Sequence, residues 1–251
     1  MRIIYFLFAA VALNFLHVER LAAEDVVSLR GTTNIENIRG LVKPVKRAVI
    51  SSEISGRILE IRFKAGEHFG KGDLLVKFDC ALYLAELEAA KAKFEAEEKR
   101  YENNKKLLAL NAISDIEVDL SKAEMEMARA DMKIKDIVST HCFIKAPYNG
   151  RVIDVIANEH ESVLADQELM SILNDELLEI ELIVPSNWLV KIKQGEQFVF
   201  SVDETRKEYP AEVVQVGAIV DPVSQTVRLR GKFTENVKDV LSGMSGTAIF
   251  K

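Results

Sequence analysis

Apolar and polar residues change their rhythm three times along this chain. Residues 48–79 carry short apolar alternations broken by Gly56, Gly66, Gly70 and Gly72. A period of two with a glycine every few residues predicts short β-strands joined by tight turns. From residue 81 to 139 proline and glycine vanish, and Ala, Glu, Lys and Leu dominate. Leu87, Phe94, Tyr101 and Leu108 recur every seven residues there, and Ile116, Leu120, Ala123, Met127, Ala130, Ile134 and Ile137 step alternately by four and three. That 3.5-residue period predicts a coiled-coil seam. Between the two series lies Asn111-Ala-Ile-Ser114-Asp, where Ser114 is a candidate N-cap and Glu117 would complete a capping box. Two antiparallel helices meeting at a tip near residues 111–114 follow, the first of about 30 residues and about 45 Å long. The seam's partner positions on the first helix include Lys91, Glu98 and Lys105, so the apolar stripe is narrow. The hairpin is either a solvated stem or one that gains packing from neighbouring copies.

Residues 176–251 return to alternation. Leu178, Ile180, Leu182 and Val184 share one strand face, and Ser186 to Lys193 reads as a short helix ended by Gly195. Strand-like runs follow at Phe198–Val202, Ala211–Ile219, Thr226–Phe233 and Thr247–Phe250. Several short strands with one small helix predict a compact β-barrel, with Trp188 as a packing residue.

The two alternating stretches around the helices are copies of each other. Ile54-Ser-Gly-Arg-Ile-Leu-Glu-Ile aligns without a gap on Tyr148-Asn-Gly-Arg-Val-Ile-Asp-Val, and Leu75-Val-Lys-Phe on Leu169-Met-Ser-Ile. Gly56 falls on Gly150, Arg57 on Arg151, Glu67 on Glu161 and Phe69 on Val163. A duplicated half split by an insertion predicts a pseudo-symmetric small sheet fold with something mounted on it.

At the N-terminus Arg2 precedes an apolar run, Ile3 to Phe15, that breaks at His17-Val-Glu-Arg20. A short positive region and an apolar core of this length read as an export signal, with Leu21-Ala-Ala23 as the cleavage region; an uncleaved anchor is the alternative. The two cysteines, Cys80 and Cys142, fit no zinc spacing. They are equidistant from residue 111, so in an antiparallel hairpin they face one another at its base. They are either a disulfide, which an exported protein can keep, or two buried thiols.

Composition is ordinary for a folded protein, with 48% hydrophobic and 29% charged residues and a net charge of −6 without a basic block. Nucleic acid is therefore not an expected partner. The Gly66–Gly72 cluster lacks the spacing of a phosphate loop, and no hydroxyl follows Lys71. His17, His68, His141 and His160 share no ligand spacing, and of Met125, Met127 and Met132 only Met127 lies on the predicted seam. No acid/base pair or nucleophile constellation stands out, so neither catalysis nor a cofactor or metal is expected.

The order of parts over residues 35–251 resembles the periplasmic adaptor subunits, or membrane fusion proteins, of RND-type tripartite efflux systems. Val49-Ile-Ser-Ser-Glu-Ile-Ser-Gly56-Arg-Ile resembles the opening of that family's first lipoyl-type half, and Ile144-Lys-Ala-Pro147-Tyr-Asn-Gly150-Arg-Val the opening of the second. Ile219-Val-Asp221-Pro-Val-Ser-Gln-Thr226-Val-Arg, followed by Leu241-Ser-Gly243-Met244, resembles its barrel signature. The resemblance implies an α+β, mostly β protein: a split lipoyl/biotinyl-like β-sandwich with an inserted α-helical coiled-coil hairpin, followed by a β-barrel domain. The expected segments are a signal peptide at 1–23, a lead-in at 24–47, half one at 48–80, the hairpin at 81–139, half two at 140–175 and the barrel at 176–251. Gly56, Gly150, Pro147 and Gly243 are expected at structural turns.

The resemblance also implies a non-enzymatic adaptor in the periplasm, a homo-oligomer (trimer or hexamer) that links an inner-membrane transporter to an outer-membrane channel. An ABC exporter or type I protein secretion system is the alternative to an RND pump. The family's tip pattern, Arg-x3-Leu-x6-Ser, is implicated in channel docking. Here Leu107 and Ser114 match, the arginine position holds Asn103, and Arg100 is a nearby source of charge. Many members continue past the barrel, so the chain reads as a short form. A lipoyl-type carrier would need a lysine on a tight turn between the halves, where this chain has the hairpin instead.

Overall fold

The computed structural model describes residues 37–250; the expected signal segment at 1–23 and the start of the lead-in lie outside them. Along the chain come β1 (Ile38–Pro44), β2 (Arg47–Ser51), β3 (Gly56–Ile61), β4 (His68–Phe69) and β5 (Leu74–Phe78), then the helices α1 (Ala81–Ala109) and α2 (Asp115–Thr140). β6 (Phe143–Lys145), β7 (Gly150–Val155), β8 (Ser162–Val163) and β9 (Glu168–Leu173) follow, then β10 (Leu178–Pro185), a 3₁₀ turn (Ser186–Val190), β11 (Gln197–Val202), β12 (Lys207–Asp221), β13 (Thr226–Phe233) and β14 (Ser245–Phe250). The class is mostly β, as expected.

The duplicated halves form one sandwich whose two sheets run β2-β9-β7-β4 and β6-β5-β3-β8. Each sheet takes its two central strands from one half and its two edge strands from the other. Neither half is a sheet alone, because its apolar face is buried only when the other half supplies the opposite layer. Ile58, Leu75, Phe78, Val152, Leu169 and Ile172 fill the space between the layers. The symmetry reaches single bonds. Ile58 N donates to Glu161 O at 2.9 Å, and its counterpart Val152 N donates to Glu67 O at 3.0 Å. Glu67 Oε2 accepts from Lys64 N, as Glu161 Oε2 does from Asn158 N. Gly66 and Gly72 have φ of 86° and 88°, which confirms them as turn residues; His160 and Asp166 hold the same left-handed positions in the second half at 66°. Gly56 and Gly150, expected at turns, instead open β3 and β7, while Pro147 lies in the β6–β7 loop.

The barrel closes in the order β1-β10-β13-β12-β11-β14. Residues 38–44 are therefore no lead-in. They form β1, which pairs with β10 on one side and β14 on the other. Of their side chains only Ile38 and Val42 are buried in the core, and Gly40 between them has none to add. Leu178, Ile180, Leu182 and Val184 face that core with Phe198 and Phe200. Trp188 packs edge-on against Phe250 at 5.9 Å, a packing role. Gly243, at φ 96°, turns the chain into β14, where its N–H bonds Val42 O.

Two crossings join sandwich to barrel. Val45 N donates to Leu177 O and Asn174 N to Lys46 O, both at 2.9 Å. The buried Asn174 side chain donates to Asn149 O and accepts from Leu177 N. Among the described residues no helix is long and apolar enough to cross a membrane.

Candidate functional site

The hairpin holds the two longest helices among the described residues. α1 runs 29 residues, about 43 Å at 1.5 Å per residue. Its register places residues equidistant from the tip opposite one another. Lys135 Nζ meets Glu86 Oε2 at 2.7 Å, Arg100 bridges to Glu124, and Arg129 lies over the Phe94 ring at 5.2 Å. Hydrogen bonding to Glu86 raises the Lys135 ammonium above its ordinary value.

At the base Cys80 and Cys142 form a disulfide, which resolves the two readings left open by their spacing. Both sulfurs belong to the sandwich core, so the bridge ties the helices to that core as well as to each other. Tyr83 Oη donates to Ser55 O at 2.9 Å, His141 Nδ1 lies 3.1 Å from Glu53, and Arg57 pairs with Asp79 at 3.2 Å. Asp79 also accepts from Ala81 N at 3.4 Å, placing a carboxylate at the N-terminus of α1.

At the tip Ser114 caps α2 and accepts from Glu117 N. Leu107 is half-buried in the last turn of α1, and its carbonyl accepts from Leu110 N and Ala112 N. Asn103 is exposed. Arg100 is held on the seam by Glu97 and Glu124, and Lys105 by Glu102. The carboxylates thus engage Arg100 and Lys105, whereas Lys106 faces solvent from the last turn of α1.

The seam of α1 is as read: Leu87 is buried, and Phe94, Tyr101 and Leu108 are half-buried. Its partner series is not. α2 turns Val118, Ser121, Met125 and Ala128 inward, and Ile116, Leu120, Met127, Ile134 and Ile137 outward. Met127 is 70% exposed and Met125 6%. Lys91, Glu98 and Lys105 likewise face solvent, and Ala90, Glu97 and Asn104 take the inner positions. The outer face of α2 therefore carries a heptad stripe that nothing among the described residues covers. The signal that finds the inner seam is weaker: small and mixed residues at 118, 121, 125, 128 and 132.

At the barrel end away from the hairpin, the end of β12 exposes Ile219, the β12–β13 turn exposes Val223, and the 3₁₀ turn exposes Val190. Asp221 Oδ1 accepts from Val223 N and Ser224 N, both at 2.9 Å, which holds that carboxyl below its ordinary value. No group of three or more His, Cys, Asp or Glu placed to hold a metal ion occurs among the described residues.

No family model matches the chain. It is 26% identical over 220 residues to an uncharacterized protein of Haemophilus influenzae and 26% identical over 219 residues to nodulation protein NolF of Rhizobium meliloti, covering 87% and 78% of this chain. It is 21% identical over 223 residues to multidrug resistance protein MdtA of Photorhabdus laumondii, covering 78% of this chain. The chain spans only 58%, 58% and 54% of the lengths of these relatives. Among solved structures it superposes on a MacA–MexA chimera carrying the α-hairpin domain of Pseudomonas aeruginosa MexA. The TM-score is 0.75 at 22% identity, over 86% of this chain and 80% of that one. On the membrane fusion protein Spr0693 of Streptococcus pneumoniae the TM-score is 0.71 at 17% identity, over 86% and 98%. The resemblance read from the sequence is borne out at the level of fold: the split sandwich, hairpin and barrel are shared with the chimera and with the membrane fusion protein Spr0693.

Proposed function

We propose that this chain is a periplasmic adaptor: as a homo-oligomer it links an inner-membrane RND-type transporter to an outer-membrane channel for export of small molecules, and catalyses nothing itself. The observation that carries this reading is the hairpin. It is long and fixed to the sandwich by a disulfide and three polar contacts at its base, and among the described residues its tip makes no hydrogen bond or ion pair outside the hairpin. Such a stem transmits position, and its tip residues Leu107 and Ser114 match the family's docking spacing.

Two further features support the arrangement. The uncovered stripe of α2 suits a neighbouring copy, since a heptad-spaced apolar face lies at the surface of a helix that has already satisfied its own partner. Charge agrees. The tip half of α1 carries Lys99, Arg100, Lys105 and Lys106 against Glu97, Glu98 and Glu102, a net positive charge, whereas that of α2 carries Asp115, Glu117, Asp119, Glu124 and Glu126 against Lys122. Hairpins standing side by side, all tips one way, set one copy's α2 against the next copy's α1, with opposite charges facing. The exposed Ile219 and Val223 lie at the other end, where a transporter would sit.

The test is to isolate the native protein from membranes after mild cross-linking. A twelve-span pump and an outer-membrane channel should co-purify, and Leu107→Glu or Ser114→Lys should remove the channel while keeping the pump. Recovery of an ATPase instead would assign the adaptor to an ABC exporter. Unchanged channel cross-linking in both variants would sink the docking role of the tip.

A further inference from the structure

The duplication places an arginine at each of the two exits from the sandwich. Half one leaves β5 into Asp79 and the hairpin; half two leaves β9 into Asp175 and the barrel. Arg57 Nη2 lies 3.2 Å from Asp79 Oδ2, and its counterpart Arg151 places Nε 3.3 Å from Asp175 Oδ2. The exits differ in the residue opposite each arginine. Arg57 pairs across β3–β8 with Ser162, whereas Arg151 pairs across β7–β4 with His68.

His68 completes a triangle. Its Nδ1 lies 3.2 Å from Asp175 Oδ2, and its Nε2 lies 2.6 Å from Arg151 Nη2. A guanidinium only donates, so Nε2 must be an acceptor and the ring proton must sit on Nδ1, aimed at Asp175. The triangle therefore requires neutral imidazole. A second proton puts N–H on both ring nitrogens, removes the acceptor from Arg151 and leaves two cations competing for one carboxylate oxygen. The charged groups facing the ring are Arg151 from β7 and Asp175 from the junction, with Glu67 beside it on its own segment.

We propose that His68 is an acid-sensitive latch on the junction between sandwich and barrel. In the neutral form it holds Asp175, and with it the hydrogen-bonded crossings at Val45, Asn174 and Leu177. On protonation the triangle opens and the junction becomes a hinge. The hairpin exit has Ser162 in the equivalent place; its own histidine, His141, pairs with Glu53, a contact that a second proton strengthens instead of breaking. The adaptor thus bends at one of its two symmetry-related joints and stays rigid at the other.

Amide hydrogen exchange on the full chain tests this, with intrinsic rates corrected, at about pH 7.5 and about pH 5.5. The amides of Val45, Asn174 and Leu177 should lose protection roughly tenfold at the lower pH, while those of Asp79 and Ala81 at the other exit hold theirs. His68→Gln should abolish the response, because a glutamine amide both accepts and donates as neutral histidine does. Equal protection at both pH values would overturn the latch, as would an equal loss at both exits or a loss that persists in His68→Gln. Should that variant fold poorly, the comparison of the two exits in the unmodified protein still decides.

Discussion

Gly150 lies directly beneath the carbonyl of Leu173, so close that a Cβ added to it would collide with that oxygen. Its counterpart Gly56 has no such neighbour: a Cβ there would be 3.6 Å from Phe78, an ordinary contact. The pseudo-symmetric glycines therefore predict unequal mutants. Gly150→Ala should cost about 3 kcal/mol, since backbone of β9 must move, and Gly56→Ala should stay within about 1 kcal/mol. Urea unfolding of the two single variants measures the difference.

The disulfide closes a loop of 62 residues, so its loss should lower the unfolding free energy by about 4 kcal/mol in the chain-entropy view. Cys80→Ser with Cys142→Ser, or reduction, should shift the denaturation midpoint accordingly, and the unreduced protein should titrate no free thiol. The larger loss belongs to the hairpin base, where limited proteolysis should begin at residues 79–83.

The two faces of α2 separate folding from association. Met125→Ala should destabilise the hairpin by about 2 kcal/mol, because its side chain is buried against α1. Met127→Lys or Ile134→Lys should leave the unfolding midpoint of the monomer within about 0.5 kcal/mol and weaken self-association in sedimentation. A charged stripe with undiminished association would show that copies meet elsewhere.

Ser114 carries a structural role that can be separated from docking. Ser114→Ala removes the cap accepting from Glu117 N and should cost about 1 kcal/mol of hairpin stability, whereas Ser114→Asp keeps the cap. If docking reads the hydroxyl itself, both variants lose channel cross-linking; if it reads only the tip's shape, the aspartate variant keeps it.

The barrel should show a carboxylate signature in acid. Asp221, Asp239 and Asp203 are held below the ordinary aspartate value of 3.8, by backbone donors from Ser224 and Val223, by Lys207 with Tyr209, and by Arg39, respectively. Lowered folded values mean that their contribution is fully present above that ordinary value and is lost as the pH falls through the folded ones. Asp221→Asn keeps an acceptor for the turn but cannot titrate. The urea midpoint of this variant should therefore fall less steeply than the parent's below pH about 4.

Much of this architecture is legible in local pattern. Period two with glycine turns, a 59-residue stretch without proline or glycine, and a gapless repeat are enough to set out sheet, hairpin and sheet again. Ser114 as a cap, and Cys80 opposite Cys142, follow from offsets along a helix pair, because an antiparallel hairpin ties sequence distance to spatial distance. The strand β1 was hidden by the same logic: only Ile38 and Val42 put side chains into the core, and its partners lie 138 and 208 residues downstream at Val42–Ile180 and Arg39–Thr247. Non-local pairing leaves no mark in a short window.

The sequence by itself determined that α2 has an apolar period and that the sandwich is duplicated. Only the tertiary structure decided which face of α2 turns inward and which strands share a sheet. Hydrophobic periodicity says that a face needs a partner, but not whether that partner lies within the chain. The richer stripe of Ile116, Leu120, Met127, Ile134 and Ile137 therefore reads as the hairpin's own seam, although Val118, Met125 and Ala128 take that place. The two halves exchange edge strands for a related reason. Each half's apolar surface is complete only against the other's, and that condition is met by the assembled layers, not by either copy of the repeat.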